Sequence, residues 1–250
     1  MIIAWWSAGV TSAVATKLAI DKYGKDNVLP IYFHIDSSHT DNYRFKEECE
    51  QWYGRSIQVE QAKGYNNQFD VILKDKYVNG PGGARCTLVL KKRVRERLEK
   101  QLEYTGQVFG FEYSKKEVNR AIRFKEQYPV ALPLFPLIEN KMTKPECLYY
   151  LEQAGIQRPE MYKLGYGNNN CIGCVKGGMG YWNKIRVDFP EFFDRMSKAE
   201  REVGNSCLRG KFLDDLLIIS GGGRHGADAM IKKYAIEFGI DYKEYNPAHT

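Results

Sequence analysis

Apolar positions along this chain alternate between short unbroken runs and helical spacing, most regularly over the first half. Met1–Trp6 is an apolar run that reads as a strand. It leads at once into a turn of small residues, Ser7-Ala8-Gly9-Val10-Thr11-Ser12. Ser12–Tyr23 then carries Val14, Leu18 and its alanines on one side and stops at Gly24, as a helix does. Val28–Ile35 is a second, nearly all-apolar strand, the pattern of a sheet covered on both faces. Asp41–Trp52 reads as a helix, Ser56–Glu60 as a strand and Thr87–Glu103 as a strongly basic amphipathic helix. Gly106–Phe111 reads as a strand, Lys116–Gln127 as a helix and Ala131–Ile138 as a proline-broken extended segment. Thr143–Ala154 is a helix opened by a capping box, Thr143 with Glu146 three residues on. From Arg158 the pattern weakens into loops, with one more helix near Phe189–Val203.

Strands alternating with helices predict an α/β fold: a doubly wound, mostly parallel, Rossmann-like sheet with a helical, loop-rich C-terminal appendage. The expected division is a domain over 1–140 and a region over 141–250 that carries a C-x-x-C pair. A hydrophobic fraction of 43% and a charged fraction of 27% over 250 residues describe an ordinary globular chain. No apolar run is long enough to span a membrane, and the N-terminus lacks the layout of an export signal. The expectation is a cytoplasmic protein with no membrane partner. A net charge of +6 suits an anionic ligand without establishing nucleic-acid binding.

Strand, tight polar turn, helix start is an arrangement that binds phosphate, because the first N–H groups of a helix point outward at the positive end of its dipole. Ser7, Thr11 and Ser12 would add hydroxyl donors, and Gly9 would let a ligand approach the backbone. An ordinary serine-capped turn is the alternative. Asp36 and Ser37 follow the second strand and are expected beside that turn, with Asp36 on a ribose or a metal ion; a helix-capping loop is the other reading. Arg120 and Arg123, beyond the fourth strand, could clamp a phosphate or sulfate, or could lie on a solvated helix face. Lys91 and Lys92 offer the same choice on the basic helix.

Six cysteines in a reducing compartment are core residues, metal ligands or reactive thiols. Cys171-Ile-Gly-Cys174 sits in a glycine-rich loop and brings two thiols together. Cys86 is the best third donor, because Arg85 and a helix N-terminus would both favour its thiolate. Cys207 and Cys147 are reserves, Cys147 reading as core. A metal or iron–sulfur site, redox thiols without metal, and incidental cysteines all remain open. Ser220–Gly226 contains G-x-G-x-x-G after an apolar run, but the residues that follow leave no room for a dinucleotide fold, so a loop closing over the ligand is the expectation.

Taken together, these motifs resemble those of the PP-loop ATP pyrophosphatases and phosphoadenosine phosphosulfate reductases. Ser7–Ser12 is similar to their Ser-Gly-Gly-x-Asp-Ser, and Ile35-Asp-Ser-Ser to their Ile-Asp-Thr-Gly. Cys86-Thr-Leu-Val-Leu-Lys-Lys, Phe109-Gly110-Phe-Glu through Arg120-Ala121, and Pro133–Ile138 with Thr143 to Cys147 follow in the same order. The resemblance covers residues 1 to about 180 and lies in this colinearity. It implies a PP-loop fold that binds an adenine nucleotide, ATP or an adenosine phosphosulfate, through Ser7, Ala8, Gly9, Val10, Thr11, Ser12, Asp36, Ser37, Gly110, Arg120 and Arg123. It implies Mg²⁺ with a polyphosphate, and Lys91 and Arg120 as catalytic residues. It also implies a [4Fe–4S] cluster on Cys86, Cys171 and Cys174, with zinc as the alternative and Cys207 as a further ligand or a recruited nucleophile. The acceptor would be a small molecule or a nucleic-acid base, and a homodimer is allowed. Thr11 stands where those enzymes have an acid, Ala8 where they have Gly, and Glu112 where they have a basic residue. No cysteine follows Cys207, whereas their reductases end in Glu-Cys-Gly. Sulfonucleotide reduction and nucleotide or nucleic-acid binding without catalysis are therefore the alternatives to ATP-driven activation or sulfur transfer.

Overall fold

The computed structural model describes residues 1–80, 83–208 and 210–216. Along the chain run β1 (Ile2–Trp6), α1 (Val10–Tyr23), β2 (Val28–Phe33), α2 (Asn42–Tyr53), β3 (Gln58–Glu60) and α3 (Gln68–Asp75). The basic helix is α4 (Arg85–Thr87), a π-helical turn (Leu88–Lys92) and α5 (Arg93–Glu99). Then come β4 (Gly106–Val108), α6 (Lys115–Gln127), β5 (Pro133–Leu134), α7 (Pro136–Glu139) and α8 (Lys144–Gln153). The last described helices are α9 (Glu160–Lys163), α10 (Met179–Asp188) and α11 (Pro190–Val203). By contacts the chain forms two compact units interleaved in sequence. The first is Met1–His34, Thr40–Glu60 and Arg95–Glu160; the second is Ile35–His39, Gln61–Val94 and the described residues from Met161 on.

The first unit is an α/β fold built on one five-stranded, all-parallel, doubly wound sheet in the order β3-β2-β1-β4-β5. β1 is central because both of its faces are apolar: Ile3 and Ala4 are fully buried, and Ile2 and Trp6 nearly so. It pairs Ile2–Trp6 with Val28–Tyr32 of β2 and Ile2–Ala4 with Gly106–Val108 of β4. Chain order runs outward from β1 through β2 to β3, then returns to β4 on the other side. The carboxyl ends of β1 and β4 therefore flank the point where strand order reverses, the place where open parallel sheets bind ligands. α1 packs against both β1 and α8; Val10, Ala13, Val14, Ala15 and Ala19 are buried, their small side chains allow close approach, and the helix ends at Gly24 with φ 85°. The expected capping box opens α8, with the Thr143 N–H donating to Glu146 Oε2 at 2.7 Å.

Several expectations are corrected. The fourth strand ends at Val108 rather than Phe111, because the Phe111 N–H turns back to the Phe109 carbonyl at 2.9 Å. Ala131–Ile138 is not one extended segment: Pro129 opens a 3₁₀ turn that ends at Ala131, and Pro133 and Pro136 open a two-residue strand and the short helix α7. α10 is a helix within the stretch after Arg158 that was expected to be loops, and α3 is a helix for which the pattern predicted no element.

The second unit carries α3, α4, α10 and α11, and no named strand among the described residues. Its core gathers Phe69, Ile72, Met161, Tyr166, Trp182, Ile185, Phe193 and Met196, with Cys86 and Cys207 packed against it. The motif Ser220–Gly226 lies outside the described residues. Among the described residues no helix is long and apolar enough to cross a membrane.

Candidate functional site

The first unit holds the phosphate-binding candidate. Gly9 caps α1 in an extended conformation with no side-chain bond, and the helix begins with Ala13 N–H donating to Gly9 O at 3.0 Å. No acidic residue stands in the first turn of α1. Ala8 is buried with φ 58°, in the left-handed region that favours glycine, so the turn holds a strained conformation at the position where the PP-loop pattern has Gly. The Ser12 hydroxyl accepts from Ser7 N–H at 3.0 Å and Ser7 O–H at 3.1 Å, and donates to Gly9 O at 2.8 Å. It is 4% exposed and ties the turn together from inside; the expectation of a Ser12 hydroxyl aimed at a ligand is corrected.

Gly110 closes the other side of the turn. A Cβ placed there would stand 2.7 Å from both Ser12 Cα and Ser12 N, and 3.0 Å from the Thr11 carbonyl carbon. Only glycine lets the chain leaving β4 pass this close over the start of α1. Phe109, Phe111, Ala121 and Phe135 form a small core beside it, with Phe124 packed against them. Arg120 lies 4.2 Å above the Phe111 ring and pairs with Glu117 at 3.0 Å, its side chain 57% exposed. Arg123 is exposed on the same helix. At the end of β2, the Asp41 carboxylate does not cap α2; it accepts from Arg44 at 2.6 and 2.9 Å and from Glu160 N–H at 2.8 Å.

The second unit gathers the thiols. Cys86, Cys171 and Cys174 line one cavity of about 100 Å³, together with Gln68, Lys91 and Lys176. Lys91, expected on phosphate, therefore belongs to the thiol cavity. The Cys171–Cys174 loop turns through Gly173 at φ 73°. Its outer edge is held by Tyr181, whose hydroxyl accepts from Cys174 N–H at 2.9 Å and donates to Cys171 O. The Tyr181 ring fills the place of a Cβ at Gly177, which would meet Tyr181 Cδ1 at 1.9 Å. The Lys176 N–H donates to the Cys174 sulfur. Amides donating to sulfur are the outer-shell contacts that tune thiolate ligands.

Burial, and then Cys174 and Cys171 beside it, push the Cys86 thiol up to about 11, with Lys176 and Lys91 opposing weakly. This corrects the expectation of a favoured thiolate. Arg85 is turned away, paired with Asp75 at 2.6 Å, and two further thiols share the cavity. Burial likewise raises Cys174. Cys207 is partly buried, and its thiol is raised by burial and then by Glu200. Glu200 is fully buried; its carboxylate accepts from Cys207 N–H and from Leu213 N–H, the latter at 2.7 Å. Cys147 and Cys49 are core residues, each pushed to about 12 by burial. None of the six cysteines is in a disulfide. Among the described residues no three His, Cys, Asp or Glu side chains converge as a single metal ion requires.

Asp36 is exposed, accepts from Gln61 at 3.3 Å and donates its N–H to Asn66 O at 3.0 Å. Ser37, expected at a nucleotide, is 4% exposed and donates its hydroxyl to Gln68. Gln68, Tyr181, Lys176 and Glu200 escaped the sequence reading. The only signal for Lys176 and Tyr181 was proximity to the C-x-x-C pair, and for Gln68 and Glu200 there was none. Compared with known protein families and with curated proteins, the chain matches no family model and no curated sequence.

Proposed function

We propose that this chain is a PP-loop enzyme similar to the phosphoadenosine phosphosulfate reductases, binding an adenine nucleotide at Ser7–Ser12 and using it in activation or sulfur-transfer chemistry in the cytoplasm. The observation that carries the reading is the junction at the strand-order reversal, where Gly110 passes within contact of Ser12 at the start of α1. A polyphosphate laid over this turn meets the opening N–H groups of α1, the positive end of its dipole and no carboxylate in the first turn. Arg120 and Arg123 supply exposed positive charge from α6. Mg²⁺ would enter with the polyphosphate as part of the substrate; an acceptor carboxylate, or a hydroxyl that gives its proton to solvent, attacks the α-phosphorus of ATP, the bond to the α–β bridging oxygen breaks, and pyrophosphate leaves with the electron pair.

The second unit offers thiol donors of the right chemistry for a metal group, and these would have to draw closer together to hold one ion. Three thiols share one cavity, an amide donates to one sulfur, and Lys91 and Lys176 offset the charge of bound thiolates. Cys86, Cys171 and Cys174 would hold it. When bound, an iron–sulfur group would supply sulfur or electrons, whereas zinc would supply structure alone. Sulfonucleotide reduction is the weaker reading, because it needs an activated thiolate, and the Cys207 thiol is raised by burial and by Glu200.

The test is pyrophosphate release from Mg·ATP, with iron, sulfide and zinc analysis of anaerobically purified wild type and Cys171→Ala. Nucleotide-dependent pyrophosphate release, with metal lost in the variant, is the expected result. A chain that binds neither adenine nucleotide nor metal overturns the reading.

A further inference from the structure

The C-x-x-C loop is gripped at its middle by a backbone carbonyl and a side chain, both remote from it in sequence. Ile172, between the two cysteines, donates its N–H to Ser37 O at 2.8 Å. Its carbonyl accepts from Gln68 Nε2, also at 2.8 Å. The Ser37 hydroxyl donates to Gln68 Oε1 and closes the ring. Ser37 is 4% and Gln68 2% exposed, so water does not compete for these bonds.

The ring has a single orientation. A backbone carbonyl can only accept, so the Gln68 amide nitrogen must face Ile172 and its oxygen must face the Ser37 hydroxyl. Each partner is itself anchored. Asn67 Oδ1 accepts from Phe69 N–H at 2.9 Å and Asp70 N–H at 3.2 Å, which makes Gln68 the first residue of α3. The neighbouring Asp36 N–H is held by Asn66 O at 3.0 Å. Gln68 also lines the cavity that Cys86, Cys171 and Cys174 share.

We infer that Ser37 and Gln68 are positioning residues for a thiolate-bound metal: they fix the backbone at Ile172 so that Cys171 and Cys174 face one cavity before any metal arrives. The inference rests on the metal-site reading above. A preformed donor pair avoids the cost of ordering the loop at the moment of binding. Outer-shell contacts of this kind are typically worth about 10–100-fold in metal affinity.

The probe is Cd²⁺, titrated into the reduced protein under anaerobic conditions and read by sulfur-to-cadmium charge-transfer absorbance. Cys171→Ala identifies the thiol signal. Gln68→Met keeps the shape of the side chain and removes both of its bonds, and Ser37→Ala removes the hydroxyl. Each is expected to weaken Cd²⁺ binding about 10–100-fold. The double variant should be little worse than either single one, because one ring is broken in all three. Hydrogen exchange on metal-free wild type is an independent check that needs no variant. The Ile172 amide should be protected as strongly as the amides of α3. Lowered thermal stability with unchanged Cd²⁺ affinity assigns the ring to folding alone and overturns the inference while leaving the metal site standing. An Ile172 amide that exchanges at loop rates overturns it as well. Wild type that binds no Cd²⁺ through these thiols removes the metal-site reading itself, and the inference with it.

Discussion

Gly110→Ala tests the junction on which the nucleotide reading depends. The added Cβ would stand 2.7 Å from two backbone atoms of Ser12, about 0.7 Å short of the 3.4 Å at which contact becomes ordinary. The obstacle is helix backbone rather than the end of a flexible side chain, so either β4's exit or the start of α1 must move. Overpacking of this kind costs about 1–3 kcal/mol. At about 2–4 °C per kcal/mol for a chain of this size, Tm should fall by about 2–12 °C. A displaced turn no longer matches its ligand, and misplacement approaching 1 Å costs tenfold or more. Thermal unfolding and titration with a fluorescent ATP analogue read the two effects separately. Gly178→Ala is the control, because a Cβ there meets nothing within 4 Å. If Gly110→Ala matches wild type in both Tm and affinity, the close approach is wrong. A fall in Tm with unchanged affinity keeps the fold and removes the nucleotide from this turn.

Ser12→Ala deletes three hydrogen bonds inside the turn and should cost about 1–2 kcal/mol in chemical denaturation while weakening nucleotide binding; unchanged affinity would show that the turn keeps its shape without them. In metal-free protein, alkylation of Cys86 followed by mass spectrometry should accelerate about tenfold per pH unit up to about 11, where a thiol of ordinary reactivity would level off earlier. Asp75→Asn removes the partner of Arg85 at the start of α4. Arg85 holds the Asp75 carboxyl below its ordinary 3.8, so the pair contributes stability above that pH and loses it as pH falls through the lower folded-state value. Wild type and variant should therefore differ in urea midpoint at pH 7 and converge in strong acid. With Arg85 36% exposed, the difference is at most about 1 kcal/mol.

The parts of the fold legible in sequence are those whose signal is local. Ile2–Trp6 and Val28–Phe33 announce central parallel strands because every position is buried or nearly so. The Thr143–Glu146 box is a four-residue signature, and it forms. α10 was missed because Met179–Asp188 begins beside glycines and does not gather its apolar residues on one face. α3 was missed because it is only eight residues long and set between loops. The π-helical turn at Leu88–Lys92 leaves no mark in composition, yet Leu90 and Lys91 within it line the thiol cavity. Cys86, Cys171 and Cys174 were legible as a group through residue type and spacing. What holds them was not, because the bonds from Ser37 and Gln68 to Ile172 join segments about a hundred residues apart with no periodicity to betray them.

Ser12 and Ser37 show the same physical rule from two directions. Both are small hydroxyls near strand ends, and both read as nucleotide-binding residues, Ser12 as a donor for a phosphate. Both are buried, and each hydroxyl donates inward, to Gly9 O and to Gln68. A short hydroxyl side chain in a tight turn finds a carbonyl of its own chain closer than any ligand, and satisfying that bond is what lets it be buried. The groups left to meet an anion are then the backbone amides, whose direction the hydroxyl bonds fix. On this argument a phosphate bound here would be recognised by the shape of Ser7–Ser12, not by its hydroxyls. Thr11 in place of an acid would then leave such an anion-binding geometry intact, while Ala8 holds a left-handed conformation there at the expense of strain.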